Sequence, residues 1–246
     1  MKKRIFVGLA ILAMIGIGII FHDQIFDRGR LTTSPTYDNL QRAVRGNDIE
    51  SRFDPAATVS FSEEFEYIGG QKFILYGVAD TEQYFFVEKT AGGKLKSVYW
   101  VQYEAYLEDN DYTYDYSGSP GRTRIGGFEF FVDQEFFVAD PDAKRRKGTD
   151  GAMYRQFLTE KGFELPANAY YARLVHMTDD SNRKELMIIF IEQLPESGLN
   201  AADYLEGGSR IVEAEHVKQQ FFDKVRRTIS MRANLQNSGS GAKSTH

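Results

Sequence analysis

From Ile5 to Phe21 the chain runs 17 residues without a charged or strongly polar side chain, directly after Met1, Lys2, Lys3 and Arg4. As a helix rising about 1.5 Å per residue, such a run covers roughly 26 Å, at the short end of what spans a bilayer. It lacks the polar stripe that a helix lying against a globular core displays. A cationic start before an apolar run also has the form of a secretory leader. Gly16 and Gly18 are small enough to flank a cleavage site, but the apolar run continues past them and no Ala-x-Ala-like site follows Phe21. The sequence therefore predicts a retained single-pass anchor over residues 1–27, with a cleaved signal as the alternative. Lys2, Lys3 and Arg4 should stay cytoplasmic, which puts the rest of the chain in the periplasm or outside the cell. Arg28 and Arg30 on the other flank oppose that bias more weakly.

Composition limits what the remainder can be. Thirty Lys and Arg stand against 35 Asp and Glu, a net charge of −5, so the chain lacks the basic field of a nucleic-acid binder. With no cysteine, disulfides, zinc-thiolate sites and thiol catalysis are excluded. Hydrophobic residues make up 42% and aromatic residues 14%, enough to build a sizeable core.

The pattern after the anchor predicts an α+β fold. Residues 28–35 read as a linker, 36–231 as one extracytoplasmic domain, and 232–246 as a disordered tail. Thr36 to Arg45 has Tyr37, Leu40 and Val44 at helical spacing. Strands are expected over Val59–Tyr67, Gln71–Ala79 and Gln83–Lys89, with Gly69-Gly70 and Asp80–Glu82 as turns. Leu95–Leu107 alternates most clearly, with Leu95, Tyr99, Val101, Tyr103, Ala105 and Leu107 on one face and Lys96, Gln102 and Glu104, together with Val98, Trp100 and Tyr106, on the other, a strand with one buried face. Further strands are expected over Gly126–Ala139, Ala169–Thr178 and Lys184–Leu194. The segment Leu186–Ile191 is apolar on both faces, which places it in the middle of the sheet. Thr149 or Asp150 caps a helix to about Lys161, and Val217, Phe221, Val225 and Ile229 mark a longer one over Ile211–Met231. The expectation is a twisted, mainly antiparallel sheet of about six or seven strands. A long C-terminal helix and a second, shorter helix pack on it, and one N-terminal transmembrane helix precedes it.

No motif carries chemistry. His22, His176, His216 and His246 show no metal-ligand spacing. Asp109, Asp111 and Asp115 in the loop Glu108–Gly121 lack the glycine and the final glutamate of a calcium loop. Glu63 and Glu64 could act as paired acids only if folding set them apart correctly. There is no G-x-S-x-G elbow and no phosphate loop. No catalytic, cofactor-binding or metal-ligating residue is therefore assigned. Arg122, Arg124, Lys144, Arg145, Arg146 and Lys147 form two basic loop clusters. The unusual feature is the density of aromatic residues, among them Tyr76, Tyr84, Phe85, Phe86, Tyr99, Trp100, Tyr103, Tyr106, Phe128, Phe130, Phe131, Phe136 and Phe137. They fit either a large aromatic core or a concave surface for an apolar ligand or a partner protein.

The functional expectation is a non-enzymatic, membrane-anchored binding or assembly module of the cell envelope, touching the bilayer through its N-terminal helix. A carboxylate-dependent envelope hydrolase and a structural envelope subunit are the alternatives. A reporter enzyme fused after Met231 should be active only outside the cytoplasm, and activity confined to the cytoplasm would reverse the orientation.

Overall fold

The computed structural model describes residues 28–139, 146–195, 198 and 200–234. The expected anchor over 1–27 and the tail from 235 onward lie outside them. No helix among the described residues is long and apolar enough to cross a membrane.

Among the described residues eleven strands form two antiparallel sheets. The larger contains β4 (Glu66–Leu75), β5 (Ala79–Lys89), β6 (Leu95–Tyr106), β7 (Gly121–Ile125), β8 (Phe128–Val138), β9 (Asn168–Met177) and β10 (Lys184–Gln193), in the order β4-β5-β6-β10-β9-β8-β7. The smaller contains β1 (Ala43–Arg45), β2 (Asp48–Glu50), β3 (Ala57–Phe61) and β11 (Ile229–Ala233), in the order β1-β2-β3-β11. The helices are α1 (Asp150–Glu160), the short α2 (Ala201–Tyr204) and α3 (Ala214–Thr228). Seven antiparallel strands with few helices and a C-terminal helix match the expected class. The second sheet was not anticipated.

Both faces of the large sheet are covered. Tyr84, Phe86, Tyr99, Val101, Ile188, Phe190 and Tyr170 pack toward α3 and the small sheet, against Phe61, Phe65, Val217, Phe222 and Val225. Phe85, Val98, Trp100, Met187, Ile189 and Val175 pack toward α1, against Tyr154, Phe157 and Leu158. Ring stacking fixes these layers: Phe61 on Phe86 at 4.4 Å, Phe85 on Phe157 at 4.4 Å and Trp100 on Tyr154 at 5.0 Å. Leu186–Ile191 sits in the middle of the sheet, as its two-sided apolar pattern requires. In β6, by contrast, the expected solvent face is buried too, since Val98, Trp100 and Gln102 are all inside.

Several local readings are corrected. Thr36–Arg45 is not a helix. Side-chain acceptors of β5 take its backbone donors, Gln41 N–H on Glu82 at 2.6 Å and Arg42 N–H on the Tyr84 hydroxyl at 3.2 Å. Asn39 is left-handed at φ +53°, and Ala43–Arg45 forms a strand with β2. Asp80–Glu82 lies inside β5, and the hairpin turns at Tyr76 and Gly77, both with positive φ (52° and 70°), the signature of a tight type I′ turn. Gly69 and Gly70 are not a turn but strand residues of β4 opposite Phe85 and Tyr84, directly after a bulge at Ile68. Arg122 and Arg124 belong to β7 rather than a loop. The long helix stops at Thr228, because Ile229–Ala233 pairs with β3. The expected linker packs along the sheet edge, with Thr33 N–H on Ile74 O at 3.0 Å and a bridge from Thr36 to Lys72.

The helix signals read as expected where a cap fixes them. The Thr149 side chain accepts from Ala152 N–H at 3.0 Å and starts α1. One ionic cluster ties α3 down. Lys224 Nζ lies 2.8 Å from Glu88 and 2.9 Å from Glu192, and Lys96 reaches Glu88 at 2.6 Å.

The two sheets touch at Gly126, which has φ +55° and turns β7 into β8. A Cβ added there would fall on the Met231 carbonyl of β11. Gly126→Ala should therefore destabilise the chain by roughly 1–3 kcal/mol, read from the denaturant midpoint. An unchanged midpoint would show that this hairpin does not seat against β11.

Candidate functional site

Strand pairing sets two carboxylates side by side. Glu185 on β10 is the direct cross-strand partner of Glu104 on β6, so both side chains leave the same face of the sheet. That face is the one under α1. Glu185 is 3% exposed and Glu104 partly exposed. Like charges in this arrangement are unfavourable, and no cation pairs with either carboxyl among the described ion pairs. Arg173 is close, but it is engaged by Asp133 through two contacts of 3.0 and 2.6 Å.

Neutral donors surround the pair instead. Glu104 accepts from the Tyr114 hydroxyl at 2.7 Å and from Gln102 Nε2 at 2.6 Å. Gln102 is the end of a cross-strand row. Gln71 donates to Gln83 at 2.7 Å, and Gln83 donates to Gln102 at 2.8 Å. Every amide in the row donates toward Glu104, so the hydrogen bonds polarise one another in one direction. The same amides hold α1 in place, with Gln71 on Met153 O at 3.1 Å and Gln83 on Asp150 O at 3.2 Å. Tyr116 hydrogen-bonds Glu185. Glu185 Oε2 has no hydrogen-bond partner among the described residues.

The tyrosines come from the loop between β6 and β7, which lies over the pair as a roof. Tyr106 and Tyr114 stack at 4.3 Å, and Tyr116 lies between Phe131 at 5.9 Å and the Arg173 guanidinium at 5.3 Å. The β9–β10 turn anchors one end of the roof, through Tyr114 N–H on Asn182 O at 2.8 Å and Arg183 on Leu107 O at 2.7 Å.

Burial decides the protonation of this site. Removal from water, with the Asp150 charge adding to it, pushes the Glu104 carboxyl up to about 7, against donors from Tyr114 and Gln102. Glu185 is raised well above the usual carboxylate range, first by burial and then by the Glu104 charge. Asp150 at the start of α1 is raised by burial, opposed by the Gly151 N–H. The two glutamates titrate as a pair, which holds a proton near neutrality. Chemically, the arrangement is a proton store with one partly accessible member, able to donate or accept at neutral pH.

None of the residues weighed from sequence forms this site as a group. Among the described residues no group of three or more His, Asp or Glu is placed to hold a metal ion. Asp115 closes a turn onto Ser117 N–H at 2.9 Å, and Asp111 is exposed. Glu63 and Glu64 are exposed beside β3, away from the pair. His176 bonds the Glu129 carbonyl at 2.9 Å, and His216 meets Gln220 at 3.1 Å on α3. His22, Lys144, Arg145 and His246 lie outside the described residues. The aromatic residues fill the core rather than line a concavity. Glu104 was legible as a strand residue, but its place on the apparent solvent face hid it. Glu185, next to a charged turn, carried no signal. The row of glutamines could have been found only by knowing the register of three strands.

No family model matches this chain, and neither a curated protein nor a solved structure is significantly similar to it.

A buried acid whose folded-state pKa is raised holds a proton that the unfolded chain has released. Stability should therefore be greatest below about pH 4.5 to 5 as far as this pair is concerned, and fall as pH rises through about 7. Asp150 and Glu192 act in the same sense, whereas Glu88, held down to about 2 by Lys224, Lys96 and Ser97 against its burial, loses its contribution only in strong acid. Thermal melts of the full chain from pH 5 to 8 should show this decline. Glu185→Gln, a neutral isostere, should make it shallower, with Glu104, Asp150 and Glu192 supplying what slope is left. An equally steep decline in the variant would remove the pair as its source.

Proposed function

We propose that this chain is a non-enzymatic binding module of the cell envelope, tethered to the membrane by its first 27 residues with the folded domain on the far side. Its docking surface is the tyrosine loop over Glu104 and Glu185. The observation that carries this reading is the closure of the loop: Tyr114 bonds one carboxyl and Tyr116 the other, and the two carboxyls are cross-strand neighbours. With one proton shared, the roof is latched. With both groups ionised, two adjacent negative charges in a poorly solvated site repel. The charged groups that act on the pair are Asp150 from α1 and Arg173 from β9, and beyond them Arg155 acts on Asp150 and Asp133 pairs with Arg173. None supplies a free cation, since Arg173 is spent on Asp133 and Arg155 has contacts of its own. Opening the roof would present Tyr106, Tyr112, Tyr114 and Tyr116, rings with an apolar body and a polar tip, of the kind that dominate protein interfaces.

The tether rests on the uncharged run Ile5–Phe21 and on the cationic residues before it. The filled faces of the large sheet favour a surface partner over an apolar ligand enclosed by the sheet. One observation favours a carboxylate-dependent hydrolase as the second reading. A pair titrating near neutrality with an unpartnered Glu185 oxygen has the make-up of an acid–base site.

Hydrogen exchange of the full chain, corrected for intrinsic pH effects, separates these ideas. Protection over residues 112–119 should fall between pH 5.5 and 8 in the native chain and fall less in Glu185→Gln, where two adjacent charges can no longer form. Equal protection at both pH values in the native chain would sink the latch. Turnover of glycosides or esters that vanishes in the variant would favour the hydrolase.

A further inference from the structure

The edge strands of the two sheets border one open cleft of about 470 Å³, bounded by Thr123, Arg124 and Ile125 of β7 and by Arg226, Ser230 and Met231 at the α3–β11 junction. β7 is the last strand of the large sheet and β11 the last of the small one. Each pairs on one side only, β7 with β8 and β11 with β3. Among the described residues no backbone hydrogen bond joins the two edges to each other. They meet at Gly126 and Met231, and at the other end Arg226 reaches across to the Thr123 hydroxyl at 3.3 Å. Between those contacts two rows of strand-edge donors and acceptors face a common space. Ile125, Ile229 and Met231, each under 9% exposed, give it an apolar floor.

Free strand edges invite pairing, and chains usually blunt them. Here the charge is all of one kind where it touches the cleft. Arg124 and Arg226 line it, and the exposed Arg122 and Arg232 lie next to it along the two strands. Among the described residues Glu129, an exposed partner of Arg124, is the one carboxylate that pairs with either lining arginine. Arg226 lies over the Phe222 ring at 5.3 Å and has a single neutral contact, Thr123.

We propose that this cleft binds an acidic polypeptide segment in extended conformation, added as a strand between β7 and β11 and so bridging the two sheets. Main-chain pairing would supply the register, the apolar floor would take alternate side chains, and the arginines would take the carboxylates. Arg226 would leave Thr123 to admit the strand. The cleft lies apart from the carboxyl pair, and the inference does not depend on the latch.

The test uses the full chain at low salt with three probes: an alternating glutamate–valine octapeptide, the same peptide N-methylated at alternate amides, and vesicles of phosphatidylglycerol. The plain octapeptide should bind and protect amides of Thr123–Ile125 and Ile229–Met231 from exchange. N-methylation should abolish binding, and the double variant Arg124→Gln, Arg226→Gln should weaken it at least tenfold while changing the melting temperature little. Both arginines are exposed on the surface, so the fold should tolerate the change. Equal binding of the N-methylated peptide would overturn strand addition. Binding of vesicles without peptide binding would make the cleft a site for anionic lipid instead. Protection of the same amides without any probe, in a chain that sediments as a dimer, would assign the edges to a second copy.

Discussion

A buried row of polar side chains controls how this chain is assembled. Gln71, Gln83 and Gln102 lie inside the molecule on three adjacent strands, and polar groups taken from water must find partners. They find them in one another, in two carbonyls of α1 and in Glu104. The row therefore places α1 on its face of the sheet and leaves Glu104 as the terminal acceptor. The tyrosine loop covers what remains. Removing one amide would strand its neighbours, so the row, the helix and the roof stand or fall together.

The two ends of β10 show opposite electrostatic solutions. At one end Glu192 and its neighbour Glu88 share Lys224, and Lys96 adds a second cation. Glu88 is accordingly held down to about 2. At the other end, and on the opposite face, Glu185 and Glu104 have only neutral donors, and Glu104 is pushed up to about 7. The first arrangement fastens α3 to the sheet. The second costs stability at neutral pH, because the folded chain holds a proton there that the unfolded chain has released. Arg173 lowers the Glu185 pKa only through space, since its hydrogen bonds go to Asp133.

The two sheets share a core but not a hydrogen-bond ladder. Phe61 of the small sheet stacks on Phe86 of the large one, and the α3–β11 segment, pinned by Lys224, carries the chain from one sheet into the other. Aromatic contacts hold the layers at sheet-packing distance while the edges of β7 and β11 stay open, apart from the close approach at Gly126.

Sequence by itself determined the elements whose signals are local. The alternation of Leu95–Leu107, the Thr149 cap and the two-sided apolar segment Leu186–Ile191 each announce themselves within a few turns or strand repeats, because periodicity and capping are short-range physics. Only the tertiary structure decided the rest. Thr36–Arg45 has helical spacing, yet Glu82 and Tyr84 of another element claim its backbone donors. Ile229–Met231 continues a helical stripe, yet β3 offers a ladder that outweighs one more helical turn. The polar positions of β6 look solvated until α1 and the tyrosine loop cover them. Glu104 and Glu185, 81 positions apart, become a site solely through strand register, and register is settled by the whole sheet rather than by either segment.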